Sequence, residues 1–285
     1  MHHDATMIED ADEHVGPQRW RLGPSLRRAV ADLRGGVSRW ELWTTLGWQD
    51  IRHRYRRSTL GPFWITLSMA AMIGGIGLLY AGLFGYDLGD YLPFLACGLI
   101  LWGVLSDTVV EGCSTFINSG SSIRQIRAPL SVYLFQMLWK SLLVFAHNII
   151  LVPIILLIFG IWPGAPLLLA FVGFAILYVA VAGMSLTLGL ASARYRDLPP
   201  IVEMVVRFTF FFTPILWKPE TLTGARAAIV TFNPFHYLLE VTRAPLLGEV
   251  PPLHVWLVAI GLAVVSWIIA LAMFARVRHR VAFWV

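Results

Sequence analysis

Charge is scarce in this sequence. Of 285 residues only 14% are Asp, Glu, Lys or Arg, against about 25% in an ordinary soluble domain. By contrast 57% are hydrophobic, and the mean hydropathy is +0.68. Once the charged N-terminal segment is set aside, too few charges remain to coat a soluble chain of this length. Cysteine is scarcer still. Cys97 and Cys113 are the only two, in or beside one apolar run, which excludes a disulfide framework or a multi-cysteine metal site. They read as small apolar side chains packed between helices. There are two lysines, Lys140 and Lys218, and neither follows a glycine. A P-loop needs Gly-Lys-Ser/Thr to cradle and neutralise phosphates, so the chain cannot hydrolyse ATP by that route. H-E-x-x-H and G-x-S-x-G are absent too. No catalytic residue, metal ligand or nucleic-acid partner is assigned.

What is present is long apolar runs. A bilayer core of about 30 Å needs about 20 apolar residues in a helix. Phe63 to Tyr86 is a first span without charge, and Tyr91 to Val110 a second, interrupted by Asp107. From Ser141 to Ala193 there is no charged residue, too long a stretch for one crossing. Gly160 to Pro166 breaks it where a turn is wanted, leaving spans of about 134–159 and 166–191. The fifth span, about 200–217, carries Glu203 and Arg207 inside it; the sixth, 255–275, is clean. Ten-residue alternating strands, the mark of a barrel, do not occur. The expected fold is therefore an all-α membrane protein with six transmembrane helices in residues 63–285, preceded by a cytoplasmic amphipathic interface region at 19–62. Residues 1–18, with Asp4, Glu9, Asp10, Asp12 and Glu13 and no apolar period, are expected to be disordered. No cleavable signal peptide is expected, so the run at Phe63 would serve as both address and anchor.

Arginine position gives the orientation. One set of connections holds Arg52 to Arg57, Arg124 and Arg127, Arg194 and Arg196, and Arg276 to Arg280; the opposite set holds Asp87, Asp90, an uncharged turn and a mixed loop, Lys218 to Leu253. The basic set, with both termini, is expected on the cytoplasmic side. Trp40 to Trp64 reads as an amphipathic helix running into span one. Its aromatics would sit at the headgroup boundary and its cations, Arg52, Arg54, Arg56 and Arg57, on lipid phosphates.

Several of these segments together are familiar. The run D-I-R-x-R-Y-R-x-S-x-L-G-x-x-W (Asp50 to Trp64) resembles the start of the membrane subunits of bacterial ABC-2 type exporters of O-antigen, capsule or teichoic acid. The resemblance continues through Asn118 to Leu130, R-Y-R-D (Arg194 to Asp197), F-F-F-T-P-I-L-W (Phe210 to Trp217), Asn233-Pro234, Leu246 to Gly248, and the Arg-rich tail ending Phe-Trp-Val. The sequence departs from the family in Gln49, where an Arg is usual, and in lacking a proline after Leu-Gly-x-x-Trp. The resemblance implies a permease in the bacterial cytoplasmic membrane, exporting a polysaccharide linked to polyprenyl pyrophosphate. It implies a homodimer working with two copies of a separate P-loop ATPase, which binds the ATP and Mg, and no cofactor in this chain. It implies a coupling helix in the loop after span two, for which Ser121, Ile123, Arg124, Gln125, Ile126 and Arg127 suit, with Pro129 ending it; an ordinary basic loop is the plainer reading. It also implies that spans one and five line a channel and that short re-entrant helices between spans five and six cap its outer mouth.

Span five would then present Phe208, Phe210, Phe211 and Phe212, whose rings stack on sugar C–H faces without a fixed hydrogen-bond register. Four Phe in five positions cover more than half a helix circumference, so some face lipid or neighbouring helices. Glu203 and Arg207, four apart, can pair on one face, either near a carrier pyrophosphate at the cytoplasmic mouth or as a helix pin. Asp107 and Glu111 either mark the end of span two or meet Lys140 on span three. Gly77, Ala81 and Gly85 form a small-residue row, fit for a dimer seam or an internal contact. His147 and Asn148 read as interhelical hydrogen-bond partners. The competing functions are an ABC-2 exporter of a small drug or lipid, and a membrane-embedded glycosyl or phospholipid enzyme built on Asp107, Glu111 and Glu203.

Overall fold

The computed structural model describes residues 22–285 except 55, 57, 59, 60, 62, 127, 222 and 223. The expected acidic segment 1–18, and among the candidate residues Arg57 and Arg127, lie outside the described residues, as does the side chain of Arg54. The described residues contain helices and no strand: α1 (Leu22–Ser38), α2 (Trp40–Arg54), α3 (Phe63–Phe84), α4 (Leu88–Asn118), α5 (Gly120–Gln125), α6 (Ser131–Asn148), α7 (Leu151–Ile158), α8 (Leu167–Arg194), α9 (Leu198–Phe212), α10 (Ala228–Thr231), α11 (Pro234–Leu246) and α12 (Leu253–Trp284).

Five stretches are long and apolar enough to cross a membrane: α3, α4, α6 with α7, α8 and α12. The chain is an all-α, multi-pass membrane protein. α6 and α7 are one span broken at Ile149 and Ile150, where Pro153 has no N–H to offer the Ile149 carbonyl. α4 and α8 form the centre. In its most apolar window α4 is 78% buried, whereas α3 is 17% buried and lies at the edge. The centre closes through small residues, because lipid tails give apolar side chains little reason to prefer protein and close backbone approach must supply the attraction. Gly112 of α4 meets Ser185 of α8, a Cβ on Gly189 would sit 2.6 Å from the Gly112 carbonyl oxygen, and Gly183 faces Ser266 of α12.

The expected fifth span differs. α9 has 15 residues, which at 1.5 Å each reach about 22 Å, short of a 30 Å core. The chain nevertheless runs from one end of the bundle to the other between Asp197 and Gly248. At the start, Arg196 Nη2 donates to the Trp284 carbonyl of the C-terminal segment at 2.8 Å. At the finish, Gly248, with φ of +87°, lies against Pro163 of the turn after α7. After α9 the passage continues as irregular, buried backbone, Thr213–Leu216. Buried non-helical backbone needs protein partners for its polar groups, and here it has them. The Tyr91 hydroxyl donates to the Leu216 carbonyl at 2.7 Å, Asn233 Nδ2 to the Phe212 carbonyl at 3.1 Å, and Arg243 Nη1 to the Pro214 carbonyl at 2.6 Å.

The amphipathic helix expected from Trp40 to Trp64 ends at Arg54 as α2, Phe63 and Trp64 already belong to α3, and a further helix, α1, precedes it. α1 lies on α6 and α12, and its Asp32 carboxylate caps α6 by accepting from the backbone N–H of Ser131 at 3.0 Å and of Leu130 at 3.3 Å. α2 turns a stripe of Trp43, Gly47 and Ile51 onto α6, where Trp43 meets Phe135 and Trp139 with ring centroids 6.0 Å apart in each case. Trp40 and Trp48 stay exposed. Part of the expected lipid-facing aromatic set is thus a protein contact.

Candidate functional site: a charged cleft beside α9

α3 and α9 both pack on α4 and have no extended contact with each other. Between them, floored by α4 and α6, runs a cleft of about 910 Å³. Its lining follows α4 from Leu99 to Asn118, about 28 Å at the helical rise and so close to the thickness of a bilayer core.

Of the expected channel residues, the cleft brings together Glu203, Arg207, Phe210 and Phe211. These fall at i, i+4, i+7 and i+8, one stripe of α9. Phe210 leans on Trp102 of α4 with centroids 5.8 Å apart, and Phe211 stands edge-on to it at 5.5 Å. Phe208 and Phe212 are not in the cleft. They are 62% and 55% exposed and continue the apolar face of Ile201, Met204 and Val205 that looks out of the bundle. The aromatic crowd divides into a cleft pair and an outward pair.

Glu203 and Arg207 form the expected ion pair. Arg207 is 76% and Glu203 44% exposed on its side chain, so the pair adds little to stability. Facing it across the cleft are Asp107 and Glu111 of α4 and Lys140 of α6. Lys140 pairs with Glu111, one of the two arrangements the sequence left open. α4 itself continues seven residues past Glu111, to Asn118. Just above this pair Thr108 and Ser141 share a hydrogen bond, and Ser185 of α8 donates to the Thr108 carbonyl at 2.9 Å. α4, α6 and α8 are thereby held together where the charges sit. Asn148, expected as an interhelical partner, lines the cleft, while Thr66 of α3 donates to the His147 carbonyl at 3.0 Å.

At the Arg-rich end, α5 is a six-residue helix closed by extended backbone at Ile126, so it stops before Pro129 rather than at it. Ser121, Arg124, Gln125 and Ile126 are exposed, and Ile123 turns inward onto the core. Arg124 also binds the Val285 carbonyl. Arg52 and Arg56 are exposed. The small-residue row is an internal contact: Gly77 abuts Leu92 of α4, Ala81 is buried, and Gly85, with φ of +67°, ends α3.

α11 is one of the short helices expected between spans five and six, but its Arg243 was not among the expected site residues. Arg243 is 1% exposed, paired with Glu240 three residues before it and placed 4.0 Å above the Phe94 ring. With Asn233 it holds the backbone at the end of α9. A signal was present: Asn233-Pro234 is a cap followed by proline at the first helical position, and Glu240 and Arg243 have helical spacing. Within a loop already assigned to the membrane surface, that arginine had no evident reason to be buried. Cys97 and Cys113 are buried free thiols, and no cluster of three metal-ligating side chains occurs among the described residues.

Residues 41–247 match the ABC-2 type transporter family. That is more than half the sequence. The chain belongs to this family. Its curated relatives include the O-antigen export system permease protein RfbA of Myxococcus xanthus, 24% identical over 198 residues, covering 69% of this chain and 76% of that one. A protein of the same name from Klebsiella pneumoniae is 22% identical over 240 residues, covering 82% and 91%. Membership in the ABC-2 family fits a transport subunit, and the described residues offer the cleft, rather than a catalytic constellation, as the feature to explain.

Proposed function

We propose that this ABC-2 protein is the permease subunit of an ATP-driven exporter that moves a lipid-linked polysaccharide, of the O-antigen kind, across the bacterial cytoplasmic membrane. The cleft is the observation that carries the reading. It is as long as a bilayer core is thick, open on one side between α3 and α9, and lined by aromatic rings and polar groups. Rings offer a sugar polymer affinity without register, which suits sliding. The names of the relatives support the same substrate class.

In this reading the Arg-rich end and both termini face the cytoplasm, and α9 with Thr213–Leu216 makes a sixth crossing. Two copies of the chain bring their α3 and α9 faces together and close the cleft into a channel. Two copies of a separate ATPase bind ATP and Mg and dock at α5, where Ser121, Arg124, Gln125 and Ile126 stand exposed and Arg127 follows. Arg52 and Arg56 of the α2 region lie at the same end, for ATPase or lipid phosphates. α10 and α11, with the 3-10 turns before them, cap the outer mouth. The chain makes and breaks no covalent bond.

Purification in mild detergent, with mass spectrometry of what accompanies the chain, tests this. The expected companions are a P-loop ATPase, in equal number, and a glycan-bearing prenyl lipid. A preparation containing neither, from cells that make the surface glycan, would contradict it.

A further inference from the structure

A second cavity, about 490 Å³, lies at the Arg-rich end between α2, the α4–α5 turn and α6. Leu42, Leu46 and Asp50 of α2 form one wall, Ser119 and Ser122 another. It shares three residues with the transmembrane cleft: Glu111, Asn118 and Lys140. A group passing from the Arg-rich end into the cleft by way of this cavity therefore meets the Lys140–Glu111 pair.

The charges of the cleft are Asp107, Glu111 and Glu203 against Lys140 and Arg207, three negative and two positive, a net charge of −1. An anion is not drawn into such a cleft by the overall field. There it competes with the carboxylates for the two cations. The two cations differ. Arg207 is 76% exposed, where water screens the exchange and little selectivity results. Lys140 is 12% exposed, where one charge-assisted contact counts for more. Its partner Glu111 is 33% exposed and borders both cavities. The carboxylate can turn to water in the smaller one while the ammonium stays in place.

We propose that Lys140 is the specificity-determining cation of this permease: it receives the phosphate oxygens of the carrier headgroup as they pass between the two cavities. Glu111 is its built-in competitor, holding Lys140 when no substrate is there and returning to release it. The assignment rests on the lipid-linked substrate proposed above.

The test is binding of a long-chain polyprenyl pyrophosphate, against the matching uncharged polyprenol, to the purified complex with its ATPase. Wild type is compared with Lys140→Gln, Lys140→Arg and Glu111→Gln. Wild type is expected to prefer the pyrophosphate. Lys140→Gln should reduce that preference about ten-fold or more, the worth of one hydrogen bond to a charged group. Lys140→Arg should restore most of it. Glu111→Gln should move it the other way, to roughly five-fold tighter binding, with slower glycan export because release is impaired. A merely structural ion pair would give the two Gln variants the same sign. Shifts of the same sign, or none, on a wild type that prefers the pyrophosphate would overturn the role of Lys140 alone. A wild type without preference would overturn both this role and the lipid-pyrophosphate substrate.

Discussion

Arg243 stands where an unpaired guanidinium could not. It donates to the Pro214 carbonyl and to Glu240, and its guanidinium carbon lies 4.0 Å over the Phe94 ring. Removing it leaves the buried Pro214 carbonyl without its donor and Glu240, 23% exposed on its side chain, without its partner, at a cost of about 1–3 kcal/mol. Arg243→Met should therefore lower the apparent melting temperature in detergent sharply, and Arg243→Met with Glu240→Met should recover part of the loss. If the double variant is no better than the single, the ion pair is not what Arg243 is kept for. Glycines divide by what they face. A Cβ on Gly173 of α8 would overlap the Val241 carbonyl of α11, which is backbone, whereas on Gly77 it would meet Leu92 Cδ1, the end of a flexible side chain. Gly173→Ala should cost about 1–3 kcal/mol and Gly77→Ala less than about 1 kcal/mol, read from the same melting experiment. Equal costs would contradict the packing described.

Among the elements α9 separates function from stability within one turn. Phe208 and Phe211 are mostly exposed, so replacing either by Ala should change stability by no more than about 0.5 kcal/mol. Phe210 packs on Trp102, and Phe210→Ala should cost roughly 2 kcal/mol. Export by cells carrying Phe211→Ala should fall while the protein level holds, because Phe211 lines the cleft. Phe208→Ala should export normally, because Phe208 lies outside the cleft. Unchanged export by Phe211→Ala would remove this ring from the path. The same helix shows what a sequence conveys and what it does not. Glu203 and Arg207 were legible as a pair because four residues make one turn. The stripe containing Phe210 and Phe211, rather than Phe208 and Phe212, was not, since it depends on Trp102 from another helix. The stop at Phe212 had a local signal, since Pro214 pushes Thr213 out of the helical region, but the partners that satisfy the backbone beyond it, Tyr91, Asn233 and Arg243, did not. The Lys140–Glu111 pair was half legible, as one of two options, because its two members stand on different helices.

For the whole molecule, hydropathy and arginine placement made the long helices and the clustering of basic connections readable. They left out the length by which helices outrun the membrane. α12 has 32 residues, about 48 Å, because its Arg-rich tail stays helical and docks on α1 through Arg278 and Asp32, 3.6 Å apart. Single cysteines introduced at Trp162 or Glu249 should react with an impermeant maleimide added to intact spheroplasts, and those at Ile126 or Arg280 only after lysis; the reverse pattern would invert the proposed orientation. The most direct test of the export reading is the location of finished glycan in cells lacking the protein. The expected result is full-length polymer accumulating on its lipid carrier inside the cell, with the surface form lost and restored by the wild-type chain. Unaltered surface polysaccharide, with no lipid-linked polymer retained inside, would contradict it.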